Sequence, residues 1–216
     1  MKVLSQWMLT FLFVISTTTT VFADESIDEL VSMMGQKLGS YQVLNESVVK
    51  GGLRVRLCQY CHGKDGNSVK NNIPNLAEQN PIYLLTQFEY FRNDTRKNKV
   101  MNELAKGLTA EERINIALYY ASQNVSYPTD ANMNSGVFKQ GKKVYNNVCI
   151  NCHGAKGKGQ QSLPRVAGQK QAFLISTLTN YKMQRGVRPD SPMLGIAAGL
   201  SSEQIKAVSV YVSSLK

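Results

Sequence analysis

Cys58-Gln59-Tyr60-Cys61-His62 and Cys149-Ile150-Asn151-Cys152-His153 are two copies of one pattern, a pair of cysteines three positions apart with a histidine directly after the second. The spacing suits covalent haem attachment, because two thiols can add to the two vinyl groups of one haem while the adjacent imidazole reaches its iron. A redox dithiol, a disulfide or half of a four-cysteine zinc site compete with this reading of a single copy. None of them needs a histidine after each second cysteine, and all four cysteines and both histidines of the chain lie inside the two pentapeptides. Two haem c groups with their iron are therefore expected. Cys58 and Cys61 would anchor one, Cys149 and Cys152 the other, with His62 and His153 as proximal ligands and no catalytic residue beside them.

The repetition extends outward. Pro74 follows His62, and Pro164 follows His153, at offsets that differ by a single position. Leu76-Ala77-Glu78-Gln79 and Val166-Ala167-Gly168-Gln169 come next in the same register. Tyr83, Leu84, Phe88 and Phe91 in one half, and Phe173, Leu174, Leu178 and Tyr181 in the other, have the three-and-four spacing of a buried helix face. Thr109 with Glu112, and Ser201 with Gln204, predict capping boxes that open a last helix in each half. Its inner face would carry Ile114, Ala117, Leu118 and Ala121 in the first copy and Ile205, Val208, Val212 and Leu215 in the second. No segment reads as a sheet, so the predicted class is all-α, with two tandem haem lobes whose small cores are completed by the macrocycle.

The distal ligand follows partly by elimination. Both histidines are used, which leaves Met33, Met34, Met101, Met133, Met183 and Met193 as soft donors beyond Ala23. The offset from His62 to Met101 matches that from His153 to Met193 to within one position, and that match selects them. Met183, at the end of an amphipathic stretch, suits a space-filling core role better.

Residues 1–23 carry Lys2 as their only charge and an apolar run from Trp7 to Ile15, which reads as a signal peptide cut after Ala23. Residues 24–47 form an N-terminal extension with a helical apolar face of Ile27, Leu30, Val31, Met34 and Leu38. The first lobe spans 48–123, a linker rich in asparagine spans 124–134, and the second lobe spans 135–216.

The two Cys-x-x-Cys-His-Gly-x-x-Gly motifs, each followed by a proline, an Ala-x-Gln, a helix start and a methionine before a capped helix, resemble cytochrome c4 over residues 52–215. The resemblance implies two class I cytochrome c domains in a periplasmic electron carrier. It also implies that the carbonyls of Pro74 and Pro164 accept hydrogen bonds from the histidine rings and orient them. The chain departs from the pattern in its extension and in a methionine loop that is shorter by two in the first lobe. A further departure is in the entry helices, where Gly52 is six positions before Cys58 and Gly141 eight before Cys149.

Charge is uneven. Residues 24–130 hold 12 basic and 13 acidic side chains, and residues 131–216 hold 12 basic and 2 acidic. The export segment and haem motifs argue against nucleic acid. A basic second lobe suits an acidic surface on a redox partner or anionic lipid headgroups, with Lys139, Lys142, Lys143, Lys156, Lys158, Arg165, Arg185 and Arg188 as candidates. The expected function is single-electron transfer without catalysis. By the resemblance, the donor is a cytochrome bc complex or a dehydrogenase and the acceptor a terminal oxidase. The alternatives are the cytochrome subunit of a redox enzyme such as flavocytochrome sulfide dehydrogenase, a dihaem peroxidase-like enzyme, and a zinc-binding module.

Overall fold

The computed structural model describes residues 25–127 and 135–216. The expected signal peptide, most of the expected linker and Met133 lie outside the described residues. The first part contains α1 (Ile27–Leu38), α2 (Tyr41–Arg54), α3 (Arg56–His62), α4 (Pro81–Arg92), α5 (Lys99–Lys106) and α6 (Ala110–Ala121). The second contains α7 (Gly136–Val144), one π-helical turn (Tyr145–Cys149), α8 (Ile150–His153), α9 (Gln171–Lys182), α10 (Met193–Ala198) and α11 (Ser202–Ser214). Among the described residues there is no strand, only one isolated bridge between Gln160 and Leu163.

The helices begin where side chains can satisfy the free donors of the first turn. Thr109 Oγ1 accepts from the Glu112 N–H at 3.2 Å, and the Glu112 carboxylate accepts from the Thr109 N–H at 2.8 Å. Ser201 and Gln204 repeat this before α11 at 3.2 and 2.8 Å, and Ser26 with Glu29 before α1. Loss of such a cap costs about 1 kcal/mol. Ser201→Ala is accordingly expected to lower stability by about 1 kcal/mol in denaturant titration, and Ser201→Asp to keep most of it.

In each half the entry helix crosses the last helix at a glycine. A Cβ on Gly51 would lie 2.2 Å from the Asn115 carbonyl oxygen, and one on Gly141 would lie 2.0 Å from that of Ala207. The glycines let two backbones touch, as only a residue without a Cβ allows. The equivalent of Gly141 is thus Gly51, not Gly52 as the sequence suggests. Cys58 follows Gly51 by seven positions and Cys149 follows Gly141 by eight. The extra residue is absorbed in the π turn Tyr145–Cys149, which widens the helix locally and delivers both histidines to equivalent places.

The halves differ in what covers them. Helix α1 packs on α2, α4 and α6, with Leu30 and Met34 fully buried. Helix α2 runs without a break across positions 47 and 48, so the extension supplies all of α1 and the first half of α2. With this cover, α4 buries seven of its side chains, and α6 buries Arg113, Ile116 and Tyr120 besides the expected Ile114, Ala117 and Leu118. Ala121 is only partly buried. Arg113 pairs with Glu89 of α4 at 2.5 Å, both almost wholly buried. A buried pair of this kind fixes a partner rather than adding net stability. The second half has no such helix, and none of the residues of α9 is fully buried.

Between the halves, the chain after α6 lies in a seam. The Asn67 side chain donates to the Asn124 carbonyl at 2.8 Å and accepts from the Ser126 N–H at 2.7 Å. Tyr127 lies under the Arg165 guanidinium, which also donates to its hydroxyl. Glu78 of the first half faces Arg165 and Lys158 of the second, each at 3.5 Å, and Arg188 stacks on Tyr90 while donating to its hydroxyl at 3.0 Å. Arg165 is 4% exposed. Three of the eight basic residues assigned to partner docking from sequence therefore work in the seam. Lys139, Lys142, Lys143, Lys156 and Arg185 remain exposed.

Candidate haem centres

Helix α3 ends on His62 and α8 on His153, and each residue is 8% exposed. His62 Nδ1 lies 2.9 Å from the Pro74 carbonyl oxygen, and His153 Nδ1 lies 2.9 Å from that of Pro164. A carbonyl can only accept, so Nδ1 carries the proton and the Nε2 lone pair is left for a metal. Burial lowers both histidine pKa values, with the proline carbonyl acting in the opposite direction. The neutral ring is the form that ligates. The loops that bring the prolines back are built alike. The Gly66 carbonyl accepts from the Leu76 and Ala77 N–H groups at 2.7 and 3.2 Å, and that of Gly157 from Val166 and Ala167 at 2.7 and 3.0 Å.

The cysteines are not paired with one another. Burial raises the Cys58 pKa and pushes the Cys149 thiol up to about 11, with the Cys152 charge adding to the second shift. Among the described residues no group of three or more His, Cys, Asp and Glu side chains is placed to hold a metal ion. Met101 stands in the first turn of α5 and Met193 is the first residue of α10, both partly buried. Two thiols, one neutral imidazole with a free Nε2 and one thioether per lobe are a donor set that suits a covalently held haem.

The methionine segments are held differently. The loop from α4 to α5 runs over residues 93–98 and that from α9 to α10 over residues 183–192. The second is longer by four, but Met193 opens its helix whereas Met101 is third, which leaves the difference of two seen in sequence. Asn102 ties the first loop by donating to the Phe91 and Arg96 carbonyls at 2.6 and 2.8 Å. Lys182 anchors the far end of α10 on the Leu200 carbonyl at 2.5 Å. Sequence reasoning missed Asn102; the signal was a polar residue after Met101 where the second copy has Leu194. Met34 is a core residue, while Met183 caps α9 at 52% exposure, so the core role expected of it is not met.

A cytochrome c4 of Thiocapsa roseopersicina is 34% identical over 74% of this chain and 87% of its own length. The chain belongs to the cytochrome c4 family. The general cytochrome c family model matches residues 138–216. The crystal structure of reduced recombinant cytochrome c4 from Pseudomonas stutzeri superposes with a TM-score of 0.70 at 30% identity, covering 77% of this chain and 97% of that one. Two class I cytochrome c domains carrying covalent haem c, and a role in electron transfer, come with membership. A protein of Thiomonas intermedia named as a thiosulfate dehydrogenase electron acceptor is 28% identical over 73% of this chain and 77% of its own length.

Proposed function

We propose that His62 and Met101 ligate the iron of one haem and His153 and Met193 that of the other, with Cys58 and Cys61, and Cys149 and Cys152, as the thioether anchors. The observation that carries this reading is the duplicated bond from Nδ1 to the proline carbonyl at 2.9 Å, which orients each ring the same way about a free Nε2. When bound, the haems supply reversible one-electron chemistry. The protein's part is to hold the rings of His62 and His153, present the thioethers of Met101 and Met193, and keep water from the buried side. Met101 and Met193 would supply a soft thioether beside the imidazoles of His62 and His153, a donor set that would favour the ferrous state and would leave the iron no open place for a substrate. This favours a carrier over a peroxidase-like enzyme.

The chain carries electrons in the periplasm on this reading, with residues 1–23 directing export. Its donor is a cytochrome bc complex or a dehydrogenase, and a terminal oxidase takes the electrons away. The relative named as an electron acceptor supports a dehydrogenase among the donors. The exposed lysines Lys139, Lys142 and Lys143 on α7, with Lys156 and Arg185, offer a positive face for an acidic partner. The test is stopped-flow reduction by a cytochrome bc complex and by thiosulfate dehydrogenase over a range of salt. The expected second-order rate falls as salt rises and falls roughly tenfold at low salt in Lys139→Glu/Lys142→Glu/Lys143→Glu. A rate indifferent to both salt and charge reversal contradicts docking through this face.

A further inference from the structure

The two histidine loops are wired across the seam to each other's lobe. The peptide unit after Pro74 offers its carbonyl to His62 and its N–H, which belongs to Asn75, to Gln169 Oε1 at 2.7 Å. Gln169 Nε2 then donates to the Asn75 carbonyl at 3.0 Å. The mirror arrangement holds at the other centre. The peptide unit after Pro164 offers its carbonyl to His153 and the Arg165 N–H to Gln79 Oε1 at 2.7 Å, while Gln79 Nε2 donates to the Arg165 carbonyl at 2.8 Å. Gln79 and Gln169 occupy equivalent places in the repeat and are 6% and 7% exposed. Each amide clamps one residue of the opposite lobe with two hydrogen bonds.

A peptide whose N–H is bonded is a stronger acceptor at its carbonyl, because the two bonds polarise the same group. A stronger acceptor draws on the Nδ1 proton of the histidine and makes its Nε2 a more electron-rich ligand, which favours the ferric state. We infer that Gln79 and Gln169 are positioning residues acting crosswise: Gln169, from the second lobe, lowers the potential of the haem ligated by His62, and Gln79, from the first, lowers that of the haem ligated by His153. Contact between the lobes is then part of what sets each potential. The inference rests on the histidine ligation proposed above.

The experiment is a redox titration of the holoprotein, with the two haems resolved by their hyperfine-shifted methyl resonances and assigned to their lobes. Gln79→Met is expected to raise the potential of the haem on His153 and to leave that on His62 unmoved. Gln169→Met should do the reverse. Gln79→Glu keeps an acceptor for the Arg165 N–H and adds negative charge, so it should move the haem on His153 in the opposite direction to Gln79→Met. It also carries the test if the methionine variant does not accumulate. A shift confined to the haem of the mutated lobe, an equal shift of both, or the same sign in the Met and Glu variants overturns the inference. If instead the unmutated protein lacks histidine ligation, the ligand assignment falls and the inference with it.

Discussion

Met193→Ala is expected to remove half of the near-infrared methionine-to-ferric-iron band and to lower the potential of one haem, with the other unchanged. Met193 opens α10, its N–H bonded to the buried Ser191 hydroxyl at 3.3 Å, and no other thioether stands at the matching place in the second lobe. On the ligation proposed above, the ferrous state would lose the ligand that favours it and that iron would become accessible to carbon monoxide. Met101→Ala should do the same for the first lobe, with one difference. Met101 also packs against the core of Leu84, Phe88 and Phe91, and Met193 does not join the corresponding core. Met101→Ala therefore also leaves a cavity, costing about 2 kcal/mol, whereas Met193→Ala should change ligation with little loss of stability. Absorption and magnetic circular dichroism spectra, each paired with a denaturant titration, check both halves of the expectation.

The second large effect is at the helix crossings. Gly141→Val and Gly51→Val are each expected to cost more than the roughly 1–3 kcal/mol usual for an overpacked site. The obstacle at 2.0 or 2.2 Å is a backbone carbonyl that cannot swing aside, and the next neighbour is the Cβ of Tyr211 or Tyr119. Parting α2 from α6 also shifts Tyr120, which lies beside Cys58, and parting α7 from α11 shifts Tyr145, which lies beside Cys149 and against Tyr211. Gly35→Ala in α1 is the control, since an added Cβ there meets nothing within 4 Å. It should be neutral or stabilising by up to about 1 kcal/mol from helix propensity alone. Thermal and urea unfolding followed by far-ultraviolet circular dichroism separates the two cases.

These crossings also mark the limit of what the sequence makes legible. Residue types with strong local meaning carried through: the capping residues of α6 and α11 start helices, and the apolar spacing of Leu84, Phe88 and Phe91 faces a core. Features that depend on two distant segments did not. Gly51 and Gly52 are indistinguishable until α6 is laid across one of them, and the π turn that reconciles the two entry helices has no composition of its own. Arg165 and Arg188 read as surface charge because Glu78, Tyr90 and Tyr127, which hold them, lie far away along the chain. Gln79 and Gln169 were visible as markers of the repeat, but a bond made to the other copy leaves no spacing to read. The apolar face of α1 was plain, while the way it buries the outer side of α6 depends on packing alone.

The most direct test of the account is the haem content and ferric spectrum of the protein produced in a host able to attach haem. The account predicts two haems per chain by pyridine haemochrome and a methionine-to-iron band that falls by half in either Met101→Ala or Met193→Ala and vanishes in the double variant. Two haems without that band, one of them binding carbon monoxide or peroxide readily in the unmutated protein, would contradict it.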